Sequence, residues 1–141
     1  MPSNASEISV TTLLNQLAAD AAEDVSRGGA PLEVLSRLIE ELPVVALVAD
    51  DDGRYVLTNP RASTLTGYSA DELRRLSVWD LTPSRNDHEA ETLWRAFRQQ
   101  RAQSGDYQLL TKAGGVVTAK YAARAHVLRG LHISLLRSEP S

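Results

Sequence analysis

Histidines and carboxylates carry the widest range of catalytic and metal-binding chemistry in this chain, so their spacing is considered first. The three histidines are His88, His126 and His132. No His-Glu-x-x-His, Gly-x-Ser-x-Gly, Walker or Gly-x-Gly-x-x-Gly pattern occurs. The acidic run Asp50–Asp52 is followed at once by Gly53 and has no glutamate at the twelfth position of a calcium loop, which indicates a turn. The sequence therefore favours a protein that is not an enzyme, with a small cavity enzyme of α+β type as an alternative.

The sequence argues against a metal site and against chemistry based on cysteine. The chain has no cysteine, which excludes disulfides, thiolate metal sites and a cysteine nucleophile. His126 and His132 fall on the polar faces of two predicted strands, where no carboxylate or third ligand at suitable spacing accompanies them. We expect both histidines on the outer face of a sheet, and no metal site.

Charge and hydropathy narrow the class of partner. The 141 residues carry 15 Lys+Arg and 18 Asp+Glu, a net charge of -3. Residues 1–28 hold four acidic residues and one basic residue, a net of 1 - 4 = -3, so the rest of the chain is neutral. Because no basic stripe results, nucleic-acid binding is disfavoured. The longest apolar run, Pro43–Ala49, is far shorter than a bilayer requires, and residues 1–7 resemble no secretion signal, so we expect no membrane association and a cytoplasmic location.

The elements that must position any site begin with two helices. Apolar residues recur at spacings of three and four before Gly28 and Gly29, which predicts an amphipathic helix. Its apolar stripe consists of Val10, Leu13, Leu14, Leu17, Ala21 and Val25. A second helix is predicted to begin at Pro31 and to stop at Pro43.

The remaining chain alternates between strand and helix patterns. Two short β-branched runs around the Asp50–Gly53 turn predict a hairpin. Two short helices follow, and then a longer helix from about Asp87 to about Gln103, ended by Gly105. Period-two patterns predict three last strands, at Asp106–Lys112, Val116–Val127 and Leu131–Arg137. The predicted fold is α+β, a five-stranded antiparallel sheet with helices on one face, preceded by an N-terminal amphipathic helix.

The register of the last hairpin decides which residues face the helices. A two-residue turn at Arg129-Gly130 would pair Val127 with His132 and set an apolar residue opposite a polar one. We prefer a three-residue loop over residues 128–130, which would pair Val127 with Leu131 and align the apolar faces of both strands. Leu131, Ile133 and Leu135 would then share the face of Tyr121 and its alanine neighbours. Because that face is rich in alanine, it leaves room either for close helix packing or for a small guest molecule.

Three segments resemble the sequence signature of PAS sensory domains. In the stretch Asn59–Leu73 an asparagine ends the second strand, and a Gly67-Tyr68-Ser69 turn leads to an acidic residue and a leucine. The segment Ser77–Leu81, with Asp80, and the turn Thr111–Val117, with Gly114, resemble the next two family elements. The resemblance covers about residues 33–137, in the right order and spacing.

The resemblance implies a signal-input module. PAS domains hold a small molecule or cofactor between sheet and helices, or pair with one another, and pass a change to an output domain or partner protein. The candidate pocket residues for a small apolar or amphipathic ligand are Leu93, Trp94, Phe97, Tyr121, Ala123 and Ala125. We expect residues 1–29 to form a dimerisation helix or a cap, residues 30–137 the PAS domain, and residues 138–141 a tail or linker. A homodimer through the N-terminal stripe is predicted, and the alternative is a helix that only covers its own sheet.

Family cofactors can be compared with the residues present. Flavin-binding photosensors of this family need a cysteine for the flavin adduct, and the chain has none. A haem-based gas sensor is the alternative, with His88 as the axial ligand. Helical geometry, however, places His88 opposite the stripe formed by Ala90, Trp94 and Phe97, so we expect it to face water.

Overall fold

The part of the chain that the structure describes forms five α-helices and one five-stranded sheet. The structure, a computed structural model, describes residues 8–83 and 87–138, and for residues 87–90 the backbone alone. The helices are α1 (Val10–Ser26), α2 (Pro31–Glu40), α3 (Pro60–Thr66), α4 (Ala70–Leu73) and α5 (Asp87–Gln100), with a 3₁₀ turn at Val78–Leu81. The strands are β1 (Val45–Ala49), β2 (Tyr55–Thr58), β3 (Ala102–Leu110), β4 (Val116–Leu128) and β5 (Leu131–Ser138). They pair antiparallel in the order β2-β1-β5-β4-β3, which confirms the predicted fold.

The N-terminal helix covers one face of this sheet, which we call the outer face. The Oγ of Ser9 caps α1 by accepting a hydrogen bond from the Thr12 N–H. The buried stripe of α1, with Leu17 only 4% exposed, joins one hydrophobic cluster with outer-face residues such as Ile133 and Leu135. The apolar stripe is therefore buried against the chain's own sheet. None of the described helices is long and apolar enough to cross a membrane.

Helix α2 packs in the same cluster as α1, whereas α3, α4 and α5 lie on the opposite face, which we call the inner face. Gly67, in the left-handed conformation at φ 81°, ends α3, as expected for a helix C-cap. Ser69 and Glu72 form the predicted capping box at the start of α4. Leu47, Leu73 and other residues of α3, α4, β1 and β5 form the second core cluster.

Helix α5 ends earlier than the sequence suggested. We expected it to run to about Gln103 and the next strand to begin at Asp106, but the helix ends at Gln100 and β3 begins at Ala102. The residue between them, Arg101, adopts a left-handed φ of 74°. Its carbonyl accepts a hydrogen bond from the Ala125 N–H at 2.7 Å. Pairing with β4 thus overrides the local helix propensity of this segment.

The last hairpin corrects the predicted register. A two-residue turn pairs Leu128 with Leu131, whereas further along the strands Arg124 pairs with Ile133. Between these pairs three residues of β4 oppose one residue of β5, so the strand contains a bulge. The φ of 54° at His126 lies in the left-handed region, where a residue other than glycine is uncommon.

The two-residue turn, in place of the expected three-residue loop, changes which β5 residues face the helices, because a shift of one residue moves a whole strand face. Leu131, Ile133 and Leu135 pack on the outer face with α1, contrary to our expectation. Val127 also joins the outer cluster, while Ala125 stays beside Phe97 on the inner side. His132, Ser134 and Leu136 are among the β5 residues that line the inner cavity.

Candidate functional site

A cavity of about 380 Å³ lies on the inner face of the sheet, under α5 and the 3₁₀ turn. Aromatic side chains dominate its walls. Those that line it are Tyr55, Trp79, Trp94, Phe97, Tyr107 and Tyr121. Smaller side chains such as Ala49 and Ala123 make the room between them. The volume falls in the range of small-molecule sites in proteins, roughly 300 to 1,000 Å³.

The structure brings most of the predicted pocket residues together. Leu93, Trp94 and Phe97 of α5 line the cavity, and so do Tyr121 and Ala123 of β4. Leu93 sits at the edge, 47% exposed, whereas Phe97 is buried.

Two predicted site residues are not among the described residues that line the cavity. Ala125 packs in the cluster of Phe97 but is not among the residues that line the cavity. His88, the haem-ligand candidate, falls in a part of α5 whose side chains lie outside those described.

Several lining residues escaped the sequence analysis. Trp79 lies in a segment that the family resemblance had already singled out, so its aromatic character was an available signal. Tyr107 faces the cavity because β3 pairs with β4 in a register that sets Tyr107 opposite Ala119. His132 was assigned to the wrong face because we expected a three-residue loop between β4 and β5, whereas a two-residue turn sets the register of β5.

His132 is the centre of a polar cluster at one end of the cavity. It is only 2% exposed, and its Nδ1 accepts a hydrogen bond from the backbone N–H of His126 at 2.9 Å. Its Nε2 lies 2.7 Å from Asp51 Oδ1 in the β1–β2 turn. The expectation that His132 lies on the outer face without a carboxylate partner is therefore wrong. Asp51 also accepts a hydrogen bond at its backbone oxygen from Trp94 Nε1 at 2.9 Å, and Arg98 Nη1 lies 3.8 Å from its carboxylate.

Asp51, His126 and His132 bring their potential ligand atoms within 4.8 Å of one another, a spacing that could hold a metal ion. The hydrogen bonds argue against that use. Because Nδ1 of His132 accepts an N–H, the ring proton must sit on Nε2, which then donates to Asp51. A metal on Nε2 would move this proton to Nδ1, against the N–H of His126. The arrangement suits a neutral histidine that holds two loops together.

Burial and hydrogen bonding shift the titration of the groups in and around the cavity. Burial lowers the pKa of His132, although the bond to Asp51 opposes this. The same bond lowers the pKa of Asp51. Burial raises the pKa of Tyr121 and raises that of Tyr55 well above its usual value. Near neutral pH, His132 and the two tyrosines are therefore uncharged.

The residues singled out by the family signature stabilise the backbone around the cavity, and Asn59 is the most buried example. Asn59 is 2% exposed; its Oδ1 accepts from the N–H groups of Ala46 and Ala62, and its Nδ2 donates to the carbonyls of Ile39 and Val44.

The other signature residues shape turns. Gly67 ends α3 as described above, and Gly114 adopts a φ of 93° in the β3–β4 turn. Asp80 Oδ2 accepts a hydrogen bond from the Ser77 N–H at the start of the 3₁₀ turn. These positions therefore build the frame around the cavity.

Comparison with known proteins agrees with this architecture. The profile of the PAS fold family matches residues 33–133, most of the chain, so the chain belongs to the PAS family. No curated protein matches the chain.

Solved structures show the same fold at low sequence identity. A domain of the sensory box sensor histidine kinase/response regulator from Geobacter sulfurreducens is 19% identical, with a TM-score of 0.65 over 75% of this chain and 92% of that chain. The PAS domain of the HTR-like protein from Haloarcula marismortui is 19% identical, with a TM-score of 0.64 over 89% and 99%. The PAS domain of a LuxR-family transcriptional regulator from Burkholderia thailandensis, in complex with ethanol, is 13% identical, with a TM-score of 0.59 over 72% and 94%.

Proposed function

We propose that the chain is the signal-input module of a regulatory protein and that it binds a small molecule in the cavity under α5. The observation that carries the proposal is the aromatic cavity of about 380 Å³. The family membership supports the signalling role. The Burkholderia thailandensis domain was solved in complex with ethanol, which supports the idea that a domain of this fold can bind a small uncharged molecule.

A bound ligand would act on the structure mainly by displacing α5. This helix supplies Leu93, Trp94 and Phe97 to the cavity, while its link to the β1–β2 turn runs through Asp51. A guest that moves Trp94 would therefore also act on the Asp51–His132 pair. An output domain or partner protein would receive this displacement. The cytoplasmic location and the domain division at residues 29 and 137 stay predictions within this proposal.

The alternative functions have less support. His132, the histidine that lines the cavity among the residues described, uses both ring nitrogens within the protein and is not poised as a haem ligand or a general base. Homodimerisation stays a prediction. Because α1 buries its apolar stripe on the chain's own sheet, a dimer would need a different surface or an exchange of α1 between copies.

Native mass spectrometry of the purified chain, with ligand titrations followed by tryptophan fluorescence, tests the proposal. Both tryptophans of the chain line the cavity, so binding there should change the emission. Ala123→Leu and, as a second variant, Ser134→Leu should fill part of the cavity and abolish both the bound mass and the response. Thr118→Leu, an exposed position on the same strand as Ala123, is the matched control. A bound mass or titration response that both folded filling variants retain would contradict the proposal.

A further inference from the structure

The chemistry of the cavity walls says what kind of molecule fits, and this step rests on the function proposed above. Among the described lining residues the only carboxylate is Asp106, which is exposed and lies 2.5 Å from Lys120 Nζ. No lysine or arginine belongs to the described lining. A charged ligand group would therefore find no oppositely charged partner inside the cavity. Burying a charge without such a partner is very costly, so charged ligands are disfavoured.

The polar groups at the α5 end are already satisfied by the protein. His132 uses Nδ1 for the N–H of His126 and Nε2 for Asp51. Trp94 uses its indole N–H for the backbone oxygen of Asp51. These two rings also lie edge to face, with their centroids 5.4 Å apart. The faces and edges of these two rings remain for contact with a ligand, and they pack well against another aromatic ring.

The wall of the cavity formed by β3 and β4 contains a hydrogen bond that a ligand can replace. The hydroxyl of Tyr121 donates to Gln103 Oε1 across 3.5 Å, the outer limit of a hydrogen bond. Thr82 and Tyr107 are instead joined by a short hydroxyl pair. The Nε2 of Gln103 is held by Gln100 Oε1 at 2.8 Å, so its side-chain oxygen stays directed to the Tyr121 side. A ligand hydroxyl can donate to that oxygen and accept from Tyr121.

We infer that the ligand is an uncharged aromatic molecule with one hydrogen-bonding group, such as a hydroxyl, and that Tyr121 and Gln103 recognise this group. The ring lies against Trp94, Phe97 and His132, and the polar group replaces the long bond between Tyr121 and Gln103. A matched set of probes separates the parts of this inference: 4-methylphenol has ring and hydroxyl, toluene lacks the hydroxyl, and 4-methylbenzoate carries a charge.

Isothermal titration calorimetry of the full chain at pH 7 measures each probe. We expect 4-methylphenol to bind about three- to tenfold more tightly than toluene, the worth of one neutral hydrogen bond. We expect 4-methylbenzoate to bind at least a hundredfold more weakly than 4-methylphenol, on the order of the cost of burying an unpaired charge. Tyr121→Phe should reduce the preference for 4-methylphenol, because it removes one of the two bonds to the ligand hydroxyl, while leaving toluene unchanged.

Two variants act as controls for the assignment. Tyr68→Phe removes a half-buried hydroxyl outside the cavity lining and should keep the preference for 4-methylphenol. Ser134→Ala removes another lining hydroxyl. If Ser134→Ala rather than Tyr121→Phe reduces the preference, the assignment to Tyr121 and Gln103 is overturned.

The other outcomes distinguish this inference from the proposed function. Tight binding of 4-methylbenzoate would overturn the uncharged ligand class while supporting a ligand cavity. Equal binding of 4-methylphenol and toluene to the unmodified chain would overturn the role of the hydroxyl. If none of the probes binds, the inference fails, and the mass spectrometry of the purified chain and its cavity-filling variants decides the proposed function separately.

Discussion

At the residue scale, Asn59 shows how one side chain can hold several elements together. Its amide makes four hydrogen bonds, two as acceptor and two as donor, that join the end of α2, β1 and the start of α3. Because the side chain is almost fully buried, water cannot replace these bonds when it is removed. These bonds explain structurally why an asparagine follows the second strand in the family signature.

Asn59→Ala should lower the free energy of unfolding by at least about 3 kcal/mol, because it leaves several buried backbone groups unpaired and removes the cap of α3. Equilibrium unfolding in urea measures the change. The control is Asn15→Ala, which removes an exposed bond to Arg124 and should change stability by less than about 0.5 kcal/mol. Similar losses in the two variants would show that the Asn59 network does not hold these elements.

His132 gives the protein a pH dependence whose sign follows from its lowered pKa. The unfolded chain binds a proton on this histidine near its ordinary pKa of about 6.5, whereas the folded chain resists it. Stability is therefore full above that pH and falls as the pH drops through it toward the folded pKa. Asp51, Arg98 and His126 are the charged or titratable groups that act on His132. Asp51, with its own lowered pKa, adds a further loss only in stronger acid.

The expected result is a drop in unfolding free energy between pH 7.5 and pH 5.5 that is steeper for the natural chain than for His132→Gln. Urea titrations at several pH values give the slopes. His126→Gln is the control, since it leaves the His132 ring and the backbone N–H at position 126 in place. Parallel slopes for the natural chain and His132→Gln would refute this account.

At the element scale, the sequence predicted those elements whose ends are set by local residues. Ser69 and Glu72 cap α4, and Gly67 ends α3, so both helices could be located from a few neighbouring residues. The end of α5 and the bulge in β4 depend instead on how β4 pairs with β3 and β5. Among the described residues, Arg101 and His126 are the two other than glycine with a positive φ. The sequence gives no sign of this conformation at either position.

The same division explains how much of the cavity could be predicted. Leu93, Trp94 and Phe97 follow from the 3.6-residue period of α5, and Tyr121 and Ala123 follow from the alternation of β4. His132 required the correct register of β5, which the sequence does not specify. Its partner Asp51 lies in a turn, where periodicity carries no information about side-chain direction.

The packing of α1 on the outer face leads to a prediction about this helix. Leu17→Ala should lower the unfolding free energy by about 2 to 5 kcal/mol, because it leaves a gap between α1 and the sheet. The loss should be independent of protein concentration, since the stripe is covered by the same chain. Urea unfolding at several protein concentrations measures both quantities.

Leu32→Ala, at a position of α2 that is 48% exposed, is the control and should have a much smaller effect. An unfolding midpoint of the natural chain that rises with concentration, and loses this dependence in Leu17→Ala, would show that the stripe of α1 joins two chains. That result would support the predicted homodimer through α1 and contradict the packing of α1 on its own sheet.

At the scale of the whole molecule, the two faces of the sheet are packed differently. The outer face forms a closed core with α1, whereas the inner face shares its surface between a core under α3 and α4 and the cavity under α5. Ligand binding should therefore change α5 more than any other element. Asp51 connects this helix to the sheet, because it accepts from Trp94 and pairs with His132.

Trp94→Phe tests this connection, since it keeps an aromatic ring in the cavity but removes the N–H bond to Asp51. We expect amide hydrogen exchange of residues 91–100 to become faster, with β1 and β5 unchanged, because the bond lost is one that ties α5 to the β1–β2 turn. Leu93→Ala removes a side chain at the edge of the cavity without touching that bond and serves as the control. Exchange that accelerates equally in both variants, or that spreads to β1 and β5, would show that α5 is held by general packing and that Asp51 does not couple the helix to the sheet.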